Sequence, residues 1–290
     1  MQFTKQGSTS LVVDIESDST QEFKILLMSD IHFDSTVCDL SLFEEHLRFA
    51  ERYKMPVLIA GDSLDAMQGK YDPRRSPEDL RNKYAVNAYY DALTIDYSRY
   101  LAKFDIPCFI LGDGNHETSV LEHSGTDLLH SVCYQLRVEH KKQAFHMGYW
   151  AYVEFRFHYK KGTAVGSRLL YFHHGDGLSA PVTKSVISIN RQSAWLIEPD
   201  IVHNGHTHDA YAIPQPVEKY NRRTHKPYPD TVWYIRTPGY KMSPTSSHRV
   251  RGFESEKHRA PKNRGAYCVN LTYSHAKGDV VSTDILHLIR

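Results

Sequence analysis

Short apolar runs alternate with amphipathic stretches through the first half of the chain. Phe23 to Asp30 (FKILLMSD), Pro56 to Asp62 (PVLIAGD) and Ile106 to Asp113 (IPCFILGD) each close a dense apolar run with polar residues, as buried strands do. Between the first two, Asp39 to Tyr53 spaces Leu40, Phe43, Leu47 and Ala50 for one helical face. Ser76 to Phe104 reads as a second helix, with Ser76-Pro77-Glu78 at its start. This alternation predicts an α/β core with parallel pairing.

The pattern changes after Gly125. A short helix is expected to end near Leu136. Tyr149 to Tyr159 and Arg168 to His174, joined by a turn-like KKGTAVGS, then read as a β-hairpin. Val182 to Leu196 reads as a helix and Asp200 to His206 as the next strand, and three or four further strands follow from Ala210. No internal repeat or flexible linker is visible. The expectation is one domain over residues 1–290: two packed sheets with helices outside, the second half more antiparallel.

Composition narrows the class without naming it. In 290 residues, 41% hydrophobic and 24% charged, the balance is that of an ordinary globular chain. The longest apolar runs fall far short of the roughly 20 residues a membrane helix needs, so no membrane partner is expected. The N-terminal MQFTKQGSTS carries no apolar core, so a chain without a signal peptide is expected. Cys38, Cys108, Cys133 and Cys268 are widely spread with no C-x-x-C, which fits a reduced, cytoplasmic protein without disulfides or a cysteine zinc site. Eighteen histidines without a histidine tract suggest scattered metal or acid–base duties.

Five short motifs fall at predicted strand ends, where α/β folds place ligands. Asp30-Ile31-His32 can aim a carboxylate and an imidazole the same way if the strand pleat continues through it. In Gly61-Asp62 a carboxylate able to bridge two cations follows a glycine that permits close backbone approach. Gly112-Asp113-Gly114-Asn115-His116-Glu117 gathers an amide, an acid–base group and carboxylates on one glycine-flanked loop. His173-His174-Gly175-Asp176 ends the fourth run, and adjacent strand residues face opposite ways, so one histidine of the pair is expected to be a ligand. Gly205-His206-Thr207-His208 offers two imidazoles in a metal clamp.

Each motif alone is also a common turn or surface feature. In this order, from Asp30 to His208, they resemble the calcineurin-like metallophosphoesterase superfamily. The resemblance implies that family's four-layer fold, a two-sheet β-sandwich flanked by helices with two divalent metals at its edge. By motif, one metal would be held by Asp30, His32, Asp62 and His208. The other would be held by Asp62, Asn115, His206 and, because the family's ligand there commonly precedes glycine, His174, with His173 the alternative. His116 matches the histidine that assists the leaving group, and Glu117 or Asp113 would orient its ring. Asp62, His116 and Glu117 are thus the expected catalytic residues.

The chemistry is sound on its own terms. Two cations neutralise phosphate oxygens and lower the pKa of a shared water for in-line attack. His116 can protonate the departing oxygen at neutral pH. Mixed oxygen and nitrogen donors suit Mn²⁺, Fe or Zn²⁺, with Mn²⁺ expected for activity. The superfamily's protein phosphatases carry phosphate-binding arginines in the second and third motifs. Here those stretches read Gly61-Asp62-Ser63-Leu64-Asp65-Ala66-Met67 and Asp113-Gly114-Asn115-His116-Glu117, without them. The resemblance therefore points to the phosphodiesterase and nuclease branches.

Charge asymmetry suggests the substrate. Lys219 to Arg264 holds twelve Lys and Arg against three Asp and Glu, a balance of +9 in a chain whose formal net charge is +1, so the remainder carries −8. Interleaved with aromatics, this basic strand and loop region (about 219–265) suits a nucleic acid, with Arg222, Arg223 and Lys226 as expected phosphate contacts. The favoured function is a metal-dependent phosphodiesterase acting on DNA or another nucleic acid. The alternatives are a hydrolase of nucleotides, cyclic nucleotides or other small phosphoesters, and a non-catalytic binding protein on the same fold. A homo-oligomer is compatible with any of them.

Overall fold

The computed structural model describes residues 1–67, 79–160, 162–177, 182–183, 185–222, 224–243, 261–277 and 280–290. Among them, thirteen strands form two sheets. In the six-stranded sheet, β3 (Gln21–Met28), β4 (Val57–Ala60), β5 (Phe109–Gly112) and β6 (Ala144–His146) run parallel. Antiparallel β12 (Gly265–Ser274) and β13 (Val280–Ile289) extend it on the β3 side. Every residue of β4 and β5 is buried, which is why those segments read as unbroken apolar runs rather than alternating ones.

The seven-stranded sheet is mixed. Its order is β1 (Gln2–Gln6), β2 (Ser10–Ser17), β7 (Trp150–Tyr159), β8 (Ala164–His173), β9 (Ile201–Asn204), β11 (Lys226–Arg236) and β10 (Tyr211–Asn221). Val13, Ile15, Phe155, Phe157, Leu170 and Phe172 of this sheet join Ile25, Leu27, Ile110, Val269 and Leu271 of the other in one buried cluster. Outside the six-stranded sheet, α1 (Leu40–Arg52), α2 (Tyr89–Ala102) and α4 (Leu128–Val138) bury Phe43, Leu47, Leu93, Tyr97, Leu129 and Val132 against Leu26, Val57, Ile59 and Phe109. On the opposite face, Ile189 of α5 (Ile187–Ser193) and Leu196 pack on Tyr171, Val202 and Tyr234. The layers run helix, sheet, sheet, helix, the expected two-sheet sandwich flanked by helices.

Several elements differ from the sequence reading. β1 and β2 were not expected; the polar turn between them hides a pairing from Gln2↔Asp14 to Gln6↔Ser10. The helix expected from Ser76 begins as α2 only at Tyr89, and Ser76-Pro77-Glu78 lies outside the described residues. Ahead of α2 the chain is held along the loop after β3: Leu80 bridges to Ser35, and the Arg81 guanidinium donates to the carbonyls of Ser35 (3.0 Å) and Cys38 (3.2 Å). The helix expected from Val182 is α5, starting at Ile187 after Ser185 takes a left-handed φ of 63° and its hydroxyl donates to Asp209. Finally, Asn115 to Glu117 is not a loop but the first turn of α3 (Asn115–Ser124).

This topology sets where the chemistry falls. β3, β4 and β5 end at one edge, and their pairing runs on beyond the strands. Asp30 N–H donates to Gly61 carbonyl, His32 N–H to Asp62 and Phe33 N–H to Ser63, each at 3.0 Å. At the same edge the sheets are tied together, with Tyr240 N–H donating to Asp30 carbonyl (3.0 Å) and His174 Nδ1 to Ala60 carbonyl (2.8 Å).

Candidate metal centre

The first motif is not pleated strand. β3 ends at Met28, and both Asp30 and His32 have left-handed backbone, with φ of 51° and 50°. Asp62 (50°), His206 (71°) and His208 (56°) share it, beyond the ends of β4 and β9. The alternation of left-handed and ordinary residues, not strand geometry, aims these side chains into one place. Non-glycine residues hold this conformation against a cost of about 1–3 kcal/mol each, and it clusters at functional sites.

Glycines make the approach close enough. A side chain on Gly114 would overlap the Asp62 carboxylate, and one on Gly61, itself left-handed at φ 88°, would overlap the His174 ring. Gly114 also N-caps α3, so Asp62 sits at that helix's positive end, its Oδ1 accepting from His116 N–H at 3.1 Å.

The expected ligands converge in two trios: Asp30, His32 and His208, and Asp62, His174 and His206. Within each, the donor atoms lie within 4.8 Å of one another. Asn115 joins the second, its Oδ1 2.9 Å from His206 Nδ1 and 3.1 Å from His174 Nε2. Asp62 Oδ2 is 3.2 Å from His174 Nε2. The trios adjoin, because Asp30 Oδ2 accepts from His206 N–H at 2.9 Å.

Backbone carbonyls and a carboxylate orient three of the four rings. His174 Nδ1 donates to Ala60 carbonyl (2.8 Å) and His206 Nε2 to Gly177 carbonyl (3.1 Å), so His174 Nε2 and His206 Nδ1 face the cluster. His32 Nδ1 lies 3.0 Å from Asp65 Oδ1. Of the fourth motif, His174 reaches the cluster, while His173 Nδ1 accepts from Gly175 N–H at 2.9 Å and stands apart.

These donors fit divalent cations. Asp30 Oδ1 and His32 Nε2 are buried and have no hydrogen-bond partner. Burial disfavours charge on His32 and His174, yet the carboxylates beside them, Asp65 and Asp62 foremost, hold the two rings up at about 9 and about 10. Burial would likewise raise Asp62, but His116 and His174 keep it well below the usual carboxylate range. His208 is pushed down to about 3 by burial, and His206 is lowered by burial and then by His174, so both are neutral imidazoles ready to ligate. The ionised carboxylates thus draw positive charge into the pocket, held as protons on His32 and His174, which a divalent cation would supply in their place.

His116 stands over the cluster, its Nε2 3.7 Å from Asp62 Oδ2. Glu117 does not orient its ring, contrary to the sequence expectation. The ring is held by Asp65 carbonyl, 2.5 Å from Nδ1. Glu117 is buried and accepts three backbone amides, from Gly114 (2.8 Å), Leu64 (3.0 Å) and Asp62 (3.1 Å). Burial and then the Asp62 charge push its carboxyl up to about 8. It is a brace between the loops after β4 and β5. Asp113 pairs with His146 Nε2 at 2.8 Å instead.

Three supports were missed in the sequence. Asp65 serves both His32 and His116, and Asp34 accepts from Asp65 N–H (2.6 Å), Ala66 N–H (3.1 Å) and the Tyr89 hydroxyl. Ser29 Oγ links Asp30 to Thr237 Oγ1. The signal for the first two was present, as Asp34 continues the alternation of Asp30 and His32 and Asp65 follows Asp62 by three.

The expected phosphate contacts are elsewhere. Arg222 and Lys226 are exposed at the β10–β11 turn, and Arg223 lies outside the described residues. That hairpin starts beside His208, pairing Tyr211 with Arg236, and ends where Asn221 pairs with Lys226. Ten residues at about 3.3 Å each put its tip roughly 30 Å along the hairpin from Tyr211. Several of the segment's other cations are answered by acids outside or inside it: Lys219 by Asp200 and Asp230, Lys262 by Asp209 and Arg264 by Asp39. Residues 244–260 lie outside the described residues.

No protein-family model matches the chain, and no curated protein sequence matches it. Solved structures do. Vps29 from Entamoeba histolytica, complexed with Zn²⁺, is similar over 92% of this chain and 99% of its own at 11% identity and a TM-score of 0.36. A predicted phosphoesterase from Streptococcus pneumoniae is similar over 93% and 99%, at 12% identity and a TM-score of 0.34. GAP50 of Plasmodium, the anchor in the inner membrane complex, is similar over 92% and 89%, at 13% identity and a TM-score of 0.41. Five motifs in the superfamily's order meet at one edge of a two-sheet sandwich between helices. This arrangement resembles the calcineurin-like metallophosphoesterases, as the motif order does. Likeness at this level carries no argument, and both fold and chemistry are argued from the sheets and the cluster themselves.

Proposed function

We propose that the chain is a metal-dependent phosphodiesterase using two divalent cations, Mn²⁺ foremost, on a nucleic acid or smaller nucleotide ester. The observation that carries this is the meeting of Asp30, His32, Asp62, Asn115, His174, His206 and His208, with Asp30 Oδ1 and His32 Nε2 buried and unpartnered. Asp30, His32 and His208 would hold one ion. His174, His206 and Asn115 would hold the other, with Asp62 between them. Bound there, the ions supply charge neutralisation for the phosphate and acidify water for attack.

The chain's own residues do the rest. His116 Nδ1 is tied to Asp65 carbonyl, which leaves Nε2 to give a proton to the departing oxygen. Glu117 and Gly114 keep Asp62 and His116 at fixed separation. Ala66 and Met67 occupy the stretch where protein phosphatases of this superfamily carry an arginine, which favours diesters over dianionic monoesters. An assay with Mn²⁺ tests the proposal: bis-p-nitrophenyl phosphate should be hydrolysed faster than p-nitrophenyl phosphate, and chelation should abolish both. Turnover of neither, with metal bound, would favour a binding protein on this fold.

A further inference from the structure

Beside the metal cluster lies a cavity of about 470 Å³ lined by Trp150, Tyr152, Tyr171, His173 and Trp195, with Asp176, Arg191 and Gln192 among its polar residues. We propose that it receives the nucleobase of the substrate, an inference that rests on the phosphodiesterase reading and narrows it to nucleotide-bearing esters.

Contiguity is the first support. His173 and Asp176 flank the His174-Gly175 turn that delivers a metal-facing imidazole. The Tyr149 ring lies 5.1 Å from His173 and 5.5 Å from His174, so the cavity wall and the cluster share an aromatic partition. Arg236, fully buried, donates to Thr207 Oγ1 (2.8 Å) in the His206–His208 loop and to Ser188 Oγ (3.1 Å) on the cavity wall. The two sites thus stand on one rigid frame.

Chemistry is the second support. Two of the chain's three tryptophans line this one cavity, yet Trp150 is 42% and Trp195 63% exposed. Large apolar rings left open to water around a cavity mark a ligand surface rather than core. Trp150 and Tyr171 are tilted at 6.3 Å and 32°, Tyr171 and His173 stacked at 6.5 Å and 19°, and the exposed Trp150 and Trp195 rings supply the open faces for a planar guest. The Gln192 amide and the Asp176 carboxylate offer both donor and acceptor atoms for a base edge. The volume lies within the roughly 300–1,000 Å³ of small-molecule sites and admits one nucleoside.

The test separates base binding from turnover. On Mn²⁺-loaded full-length protein, Trp195→Ala and Trp150→Ala should raise KM for thymidine 5′-(p-nitrophenyl phosphate) by about 5- to 150-fold, the worth of a base–aromatic stack. Methyl p-nitrophenyl phosphate, with the same leaving group and no base, should be hydrolysed as by the wild type. Thymidine monophosphate should also quench tryptophan fluorescence saturably, and less so in either variant. An equal KM rise for single-stranded oligothymidylate would identify a strand end as a further source of the base; no rise would restrict the site to free nucleotide esters. Saturable quenching without hydrolysis of any ester would sustain the pocket and overturn the phosphodiesterase reading. Absence of quenching together with unchanged KM for both esters would overturn the pocket.

Discussion

The Asp65 carboxylate lies 3.0 Å from His32 Nδ1, and this contact leaves His32 Nε2 as the ring's buried, unpartnered atom in the cluster. Asp65 touches no other expected ligand by its carboxylate within hydrogen-bonding distance, so it acts on the metal through His32. Such outer partners are worth about 10- to 100-fold in metal affinity. Asp65→Asn should therefore weaken Mn²⁺ binding by that factor in a calorimetric titration while leaving the folded circular-dichroism spectrum intact. Unchanged affinity would mean that His32 is oriented by packing alone.

Glu117→Gln tests the brace. A glutamine side chain has one oxygen for three amides that now share two, so one buried N–H loses its partner. Leaving a buried donor unsatisfied costs about 1–3 kcal/mol, and urea unfolding should show a loss of that size. If Glu117 acted instead as an acid or base on substrate, the variant would keep its stability and lose activity with an altered pH profile.

His116→Ala should retain both metals and lose roughly 10²- to 10⁴-fold in kcat on esters with poor leaving groups. Esters of p-nitrophenol, whose anion departs without a proton, should lose much less. Equal losses on both would assign His116 to phosphate binding.

A stability prediction lies away from the cluster. His46 is buried in α1, its Nδ1 2.8 Å from the Tyr240 hydroxyl, and burial pushes its pKa down from 6.5 to about 4. The folded state thus favours the neutral ring. Its contribution is fully present above pH 6.5 and is lost as the pH falls through about 4. The depression is worth about 2–3 kcal/mol. His46→Gln should flatten the fall in unfolding free energy between pH 6.5 and 4 by about that amount, measured against the wild type in parallel.

Much of this was legible in the sequence, and what was not has physical causes. Buried parallel strands announce themselves because nothing polar interrupts them, as in Val57–Ala60 and Phe109–Gly112. The ligand motifs were visible for a different reason: Asp, His and Asn side by side at strand ends are costly unless used. The way Asp30 and His32 come together was not visible, because left-handed backbone at non-glycine residues is stabilised only by surrounding contacts, here the amides paired with Gly61 and Asp62. The role of Glu117 was hidden because a helix cap and a catalytic carboxylate look alike in a string of letters. Summed charge in the basic segment does not by itself locate a phosphate-binding surface. Composition does not reveal that Lys219, Lys262 and Arg264 meet Asp200, Asp209 and Asp39, or that Arg222 stands at the far end of a long hairpin.

The central claim is that Asp62 is shared by two metal ions. Elemental analysis of protein loaded with Mn²⁺ and freed of excess metal addresses it directly. The account predicts two Mn²⁺ per wild-type chain, one or fewer in Asp62→Asn, and one retained in His206→Ala. Two Mn²⁺ per chain in Asp62→Asn, or a wild type that holds none, would contradict it.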